Sequence, residues 1–238
     1  MGEIMGILLK KKERELVVPG EEIIKSMDYL PGRNCFREGD SIYAKRLGFV
    51  SINGRVISVV PLSGVYIPKT GDMVIGEIKE VQPTGWIVDI KAPYDAYLPL
   101  AGIKEFIDTT KTDLSRVYDI GELIYARVAS VSGTSSVHLS MHDPRCKKFK
   151  SGRIIRINPT KIPRVIGKMG SMINLIKTST KTRISVGQNG MIWFEGENEE
   201  LVAKAIKLIE KQSQQEGLTD KVSELLKAGS KGDKNEKD

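Results

Sequence analysis

Arg153-Ile154-Ile155-Arg156-Ile157-Asn158-Pro159-Thr160, running on into Lys161-Ile162-Pro163-Arg164-Val165-Ile166-Gly167-Lys168-Met169-Gly170, is the stretch on which the reading of this chain turns. The β-branched run Ile154, Ile155 and Ile157 suits a strand. Asn158-Pro159-Thr160 stops it, because Pro159 lacks an amide proton for a ladder, and Thr160 is placed to cap a short helix starting near Lys161. Gly167 ends that helix. Met172, Ile173, Leu175 and Ile176 then mark the apolar side of a second helix beginning at Gly170, so two helices meet at a four-residue Gly-x-x-Gly turn. Such a turn lets backbone lie against backbone and projects Lys168 between the glycines. The amides of the second helix's N-terminus and the lysine ammonium together suit a phosphodiester chain.

The flanks give the turn its meaning. Residues 182–186 and 191–194 read as two strands joined at Gly187-Gln188-Asn189-Gly190. A helix follows from Glu199 to about Lys211, with Leu201, Val202, Ala205, Ile206, Leu208 and Ile209 in one stripe. The order strand, helix, Gly-x-x-Gly, helix, strand, strand, helix resembles a type I KH domain. That resemblance implies a loop clamping about four nucleotides of a single strand.

Charge points the same way. From Arg145 to Phe194 the chain carries no Asp or Glu, yet holds 12 of its 37 basic residues, leaving 25 basic against 30 acidic residues elsewhere. The whole excess of +7 therefore sits in one segment. A solvated face mixes its signs, so an acid-free run around a backbone-gripping turn favours a polyanion. No basic amphipathic helix accompanies it to favour a membrane surface. Ile4–Leu9 is too short for a membrane span, and Cys35 and Cys146 make no disulfide framework, so a soluble, cytoplasmic protein is expected.

The first 66 residues read as short strands and turns, with residues 49–52 and 55–59 flanking an Asn53-Gly54 hairpin signal. From Thr70 to Met141, five strand-like runs with a longer excursion after the third have the pattern of a small OB barrel. Gly76-Glu77-Ile78, Gly85-Trp86-Ile87-Val88, Tyr97-Leu98-Pro99-Leu100, Gly121-Glu122-Leu123 with Ala126-Arg127-Val128, and Val137-His138-Leu139-Ser140 resemble an S1-type RNA-binding domain. The family's usual aromatic is replaced by Thr84, and its histidine near Pro99 is missing. This leaves Trp86 as either a stacking platform or a core residue, with Tyr94 and Tyr97 as other rings, and His138 as either an RNA contact or a surface residue. His138, His142 and Cys146 recur every four residues, but Asp143-Pro144 breaks any helix between them and a fourth ligand is lacking, so no metal is expected. That segment reads as a linker. Beyond Gln212, Val222, Leu225 and Leu226 suggest a short amphipathic helix before a disordered tail from Gly229.

No nucleotide-binding loop, His-Glu-x-x-His or Gly-x-Ser-x-Gly occurs, and the basic segment has no acids to hold the metals of a nuclease, so binding rather than catalysis is expected. The fold class expected is multidomain, mainly β plus α+β. Its parts are an N-terminal β-rich docking domain over 1–66, an S1-type OB domain over 67–145, a KH domain over 146–216, and a short helix with tail over 217–238. In that order they resemble the RNA-binding cap subunit of the archaeal exosome. The resemblance implies single-stranded RNA as ligand, three copies on a hexameric ring of RNase PH-like subunits, delivery of 3′ ends for 3′→5′ degradation or tailing, and no cofactor. A free-standing KH/OB factor in translation or ribosome assembly is the alternative. The RNA-binding residues expected are Arg153, Arg164, Gly167, Lys168, Met169, Gly170 and Lys177 in the KH segment, with Trp86, Tyr94, Arg127 and His138 in the barrel.

Overall fold

The computed structural model describes residues 8–105, 113–133, 136–213, 215 and 217–232. Parts of the apolar N-terminal stretch, of the excursion 105–116 and of the tail from Gly229 therefore lie outside the described residues. The chain divides into two compact units between Gly64 and Val65.

The first unit holds eight strands: β1 (Leu8–Leu9), β2 (Leu16–Val17), β3 (Glu22–Lys25), β4 (Leu30–Pro31), β5 (Cys35–Glu38), β6 (Ser41–Ala44), β7 (Gly48–Asn53) and β8 (Val56–Pro61). They form two four-stranded sheets, ordered β1-β3-β6-β5 and β2-β7-β8-β4, around a core that includes Val17, Ile24, Ile42, Val50 and Ile57. The β7–β8 hairpin pairs Asn53 with Val56, so its two loop residues are Gly54 and Arg55. That is one residue later than the sequence signal placed it. Only Gly54 takes positive φ, at 57°, which is the demand of a turn with glycine first rather than of an Asn-Gly turn.

The second unit begins with β9 (Met73–Gln82), β10 (Gly85–Asp89), β11 (Ala96–Pro99), β12 (Leu123–Val131), β13 (Val137–Ser140) and β14 (Lys147–Phe149). β9 pairs with both β10 and β12, and the sheet closes because β11 and β13 run parallel while β13 returns to β12. This is a closed five-stranded OB-type barrel. β14 adds a sixth strand beside β12, so the barrel sheet takes up residues 147–149, just past the segment read as a linker and within the stretch expected to open the KH domain. Two lysines in a three-residue strand had hidden it.

After β15 (Arg153–Arg156) the chain makes a 3-10 turn at Pro159–Lys161, then α1 (Ile162–Ile166), α2 (Ser171–Thr180), β16 (Arg183–Val186), β17 (Met191–Glu195) and α3 (Glu199–Lys211). The order is the one the sequence implied, and the sheet is β15-β17-β16. Asn158 caps the 3-10 turn, its side chain accepting from the Thr160 amide, and α1, with Lys161 at its N-cap position, has no side-chain cap, so Thr160 does not fill the capping role expected of it. α4 (Leu218–Gly232) packs against α2 and α3 and continues past Gly229. Its Leu218, Val222 and Leu226 are buried in the same core as Ile206 and Ile209 of α3.

β17 explains why the two halves of this unit act as one. Side chains alternate along a strand, and Ile192 and Phe194 face the helices while Met191 and Trp193 join the barrel core. All four are buried because both faces of the sheet are covered. Trp193 stacks on Phe149 of β14 with ring centroids 4.4 Å apart. The turn before β17 completes the seam. Asn189, wholly buried, accepts from the Ile75 amide and donates to the Ile75 and Ile90 carbonyls of the barrel, while the Gln188 amide donates to Met73 O.

Candidate nucleic-acid interface

The turn between α1 and α2 has the backbone its sequence requires. Gly167 (φ 75°), Met169 (φ 52°) and Gly170 (φ 80°) all lie at positive φ, three residues in four, with Met169 and Gly170 left-handed helical. Gly167 is also a close approach: a Cβ there would stand 2.7 Å from the Met172 amide nitrogen. The turn thus presses its backbone onto the start of α2, whose first turn carries no acidic side chain. Met169 is 97% exposed, and Lys168 is exposed beside it. A methionine held almost wholly in water at a positive-φ position contributes nothing to packing and is free for contact with a ligand.

Beside the turn lies a cleft of about 410 Å³. Its KH wall is Ile166, Ile173, Lys177, Ile184 and Val186, and its opposite wall comes from the barrel: Met73, Tyr125, Arg145 and Lys147. Among the described residues no carboxylate lines it. Tyr125 crosses the cleft's end to donate to Val186 O at 3.0 Å, and burial pushes its phenol up to about 12. Lys147 lies with its ammonium 4.3 Å from the Trp193 ring centroid. Burial lowers its pKa, and the neighbouring Arg183 and Lys177 add to that against only Glu195. Arg145 is steadied by Asp143, whose Oδ1 and Oδ2 each accept from its guanidinium at 2.9 Å. Those bonds and the Arg145 amide hold the Asp143 carboxyl far below the usual carboxylate range.

Of the residues expected from sequence, Lys177 lines the cleft, while Gly167, Lys168, Met169 and Gly170 form the turn that follows Ile166 of its wall. Arg164 is turned away, donating to Gln215 O at 3.2 Å. Arg153 lines a different surface depression with Glu197, Glu199 and Glu200, an acidic setting unsuited to phosphate. Trp86 is not a stacking platform. It is fully buried, its Nε1 donates to Tyr118 O at 2.9 Å, and Tyr118 packs edge-on against it. Among the barrel's other candidates, Tyr94 is exposed on the loop between β10 and β11. Arg127 is half-exposed, with NH1 3.8 Å from Asp143. His138 packs edge-on against Tyr97, whose hydroxyl meets Thr84 Oγ1 at 2.7 Å. His142 and Cys146 turn to Ala101 O and Ser140 O, and among the described residues no cluster of His, Cys, Asp or Glu suits a metal. Arg145 and Lys147, which line the cleft, were not among the residues expected from sequence. Their signal was being the first cations of the acid-free run, and only the strand pairing of β14 shows where they point.

An OB barrel fused to a KH fold, with an acid-free cleft at the Gly-x-x-Gly turn, defines a nucleic-acid-binding protein of the S1–KH class. The comparisons with known proteins agree. The family described as RRP4, S1 domain matches residues 65–130, and the KH domain family matches residues 152–211. The exosome complex component Rrp4 of Thermococcus kodakarensis is 46% identical over 221 residues, covering 90% of this chain and 86% of that protein. Its counterpart in Methanothermus fervidus is 42% identical, covering 92% and 98%. A crystal structure of a protein assigned as an exosome complex RNA-binding protein superposes with a TM-score of 0.64 at 31% identity, covering 71% of this chain and 98% of that one. The chain belongs to the Rrp4 family of exosome complex components.

Proposed function

We propose that this chain is a non-catalytic RNA-binding cap subunit of an archaeal-type exosome. It captures single-stranded RNA and passes 3′ ends to a ring of RNase PH-like subunits, which performs 3′→5′ degradation or tailing in the cytoplasm. Three copies cap one ring, and no cofactor takes part. The observation that carries the binding half is the positive-φ turn at Gly167–Gly170 next to a cleft in which, among the described residues, no carboxylate takes part. The assembly half is supported by the names of the relatives. The first unit is the docking part, a reading supported by its exposed Met27, Leu30, Val56 and Val60, of which Leu30 and Val56 are register partners on neighbouring strands.

The test is affinity purification of the tagged protein from its own cells, with and without ribonuclease. A ribonuclease-resistant assembly that degrades RNA from the 3′ end, while the isolated chain does not, is the expected result. Recovery of the chain alone, or of ribosomal proteins only while RNA is intact, would overturn the reading in favour of a dispersed RNA-binding factor.

A further inference from the structure

The KH fold supplies Ile166, Ile173, Lys177, Ile184 and Val186 to the cleft, and Met73, Tyr125, Arg145 and Lys147 come from the barrel. The turn at 187–190, whose Gln188 also lines the cleft, is tied into the barrel through Asn189 and Gln188. The barrel therefore stands over the groove and cannot swing away without breaking buried hydrogen bonds. What it presents there is Tyr125 and Met73 low in the cleft and two cations, Arg145 and Lys147, at its rim.

We propose that the groove is a two-walled cleft, in which Arg145 and Lys147 of the barrel hold the same RNA strand that the Gly-Lys-Met-Gly turn holds. This rests on the RNA-binding reading given above and deepens it. Three features carry the argument. The two walls are basic on both sides, Lys177 facing from α2 and Lys147 from β14, and repulsion between them is relieved by a polyanion lying between. The floor is apolar, with Ile173 and Ile184 from the KH side and Tyr125 from the barrel, which suits bases rather than more phosphate. The cleft, at about 410 Å³, has room for part of a single strand, the form in which unpaired bases can meet an apolar surface. Arg145 is well placed for the task because Asp143 fixes its Nε and one terminal nitrogen and leaves the other for a phosphate.

The consequence is that the barrel's edge strand, not the KH fold alone, sets affinity at this groove. The test is fluorescence anisotropy of the full chain with a labelled oligoadenylate of about eight nucleotides, long enough to span the clamp. Arg145→Gln combined with Lys147→Gln should weaken binding about ten-fold and reduce the log-log salt slope by about 1.4, or about 0.7 for each phosphate no longer neutralised. Lys147→Arg should restore part of the loss, which separates charge from the packing of the lysine stem over Trp193. Ultraviolet cross-linking should label the peptide containing 145–149 as well as that containing α2. Lys168→Asp with Met169→Asp serves as the reference. If the reference variant loses affinity while the glutamine pair keeps both affinity and salt slope in a folded protein, the two-walled cleft is overturned and RNA binding by the KH turn stands. If neither variant changes affinity, both the cleft and the RNA reading of the turn fail.

Discussion

Replacing Asn189 with alanine removes three hydrogen bonds at once from a place that water does not reach. Oδ1 accepts from the Ile75 amide at 3.3 Å, and Nδ2 donates to the Ile75 and Ile90 carbonyls at 2.7 and 2.8 Å. At about 1 kcal/mol for each bond, and more for the buried groups left bare, the loss is roughly 3–5 kcal/mol. For a unit of this size each kcal/mol moves the melting temperature by about 2–4 °C, so a fall of roughly 6–20 °C is expected. Asn189→Asp is the sharper probe, because it keeps the volume but aims an oxygen at two carbonyls. At neutral pH it should be at least as damaging as alanine. Burial raises the folded-state pKa of that carboxyl above its unfolded value, so the acid form's contribution is present at low pH and lost as pH rises through the folded pKa. The aspartate variant should therefore recover stability on acidification relative to the alanine variant. Thermal and urea unfolding at two pH values reads all of this. The reasoning is refuted if alanine costs less than about 0.5 kcal/mol, the usual range for an inconsequential surface change, or if aspartate is the more stable of the two at neutral pH.

Trp86→Ala should cost about 3–5 kcal/mol in unfolding experiments, as for other large core truncations, while the folded fraction binds RNA unchanged. A selective loss of RNA affinity with full stability would restore the ring to the interface. Val222→Asp should cut the thermal stability of the second unit sharply, since burying each apolar side chain of α4 contributes about 1.5–3 kcal/mol. An unaltered melt would mean that α4 is not docked. The Asp143 carboxyl, followed by NMR, should titrate well below the ordinary aspartate value, and Arg145→Gln should bring it back towards that range. Because its pKa is depressed, the stability from this clamp is present above the unfolded value near pH 4 and is lost as pH falls from there, with about 3.9 as the reference.

The KH half was legible because its signals are local. Gly167 and Gly170 are needed at positive φ, and the apolar run Met191–Phe194 announces a strand buried on both faces. The same property hid the orientation of Trp86. Gly85-Trp86-Ile87-Val88 is apolar throughout, so alternation assigns no face, and the partner that holds the indole is Tyr118, 32 residues away. β14 was illegible for the opposite reason: Lys147 and Lys148 mask a strand whose sole apolar residue is Phe149, and pairing with β12 overrides their low propensity. α4 runs past Gly229 because docking on α2 and α3 outweighs a residue that would end an isolated helix. Arg153 and Arg164 were included for charge alone. Neighbours from α3 and from the connection before α4 decide where they point, and those neighbours are not written in any local motif.

The account's central claim is that the Gly-Lys-Met-Gly turn grips unpaired RNA backbone. It is tested most directly by titrating the full chain with single-stranded and duplex RNA of equal length across a salt series, beside the Lys168→Asp/Met169→Asp variant. The account predicts a clear preference for the single strand, a log-log salt slope of about −0.7 for each phosphate held, and loss of that preference in a variant whose melting temperature is unchanged. Equal affinity for duplex, or undiminished single-strand binding by the folded variant, would contradict it.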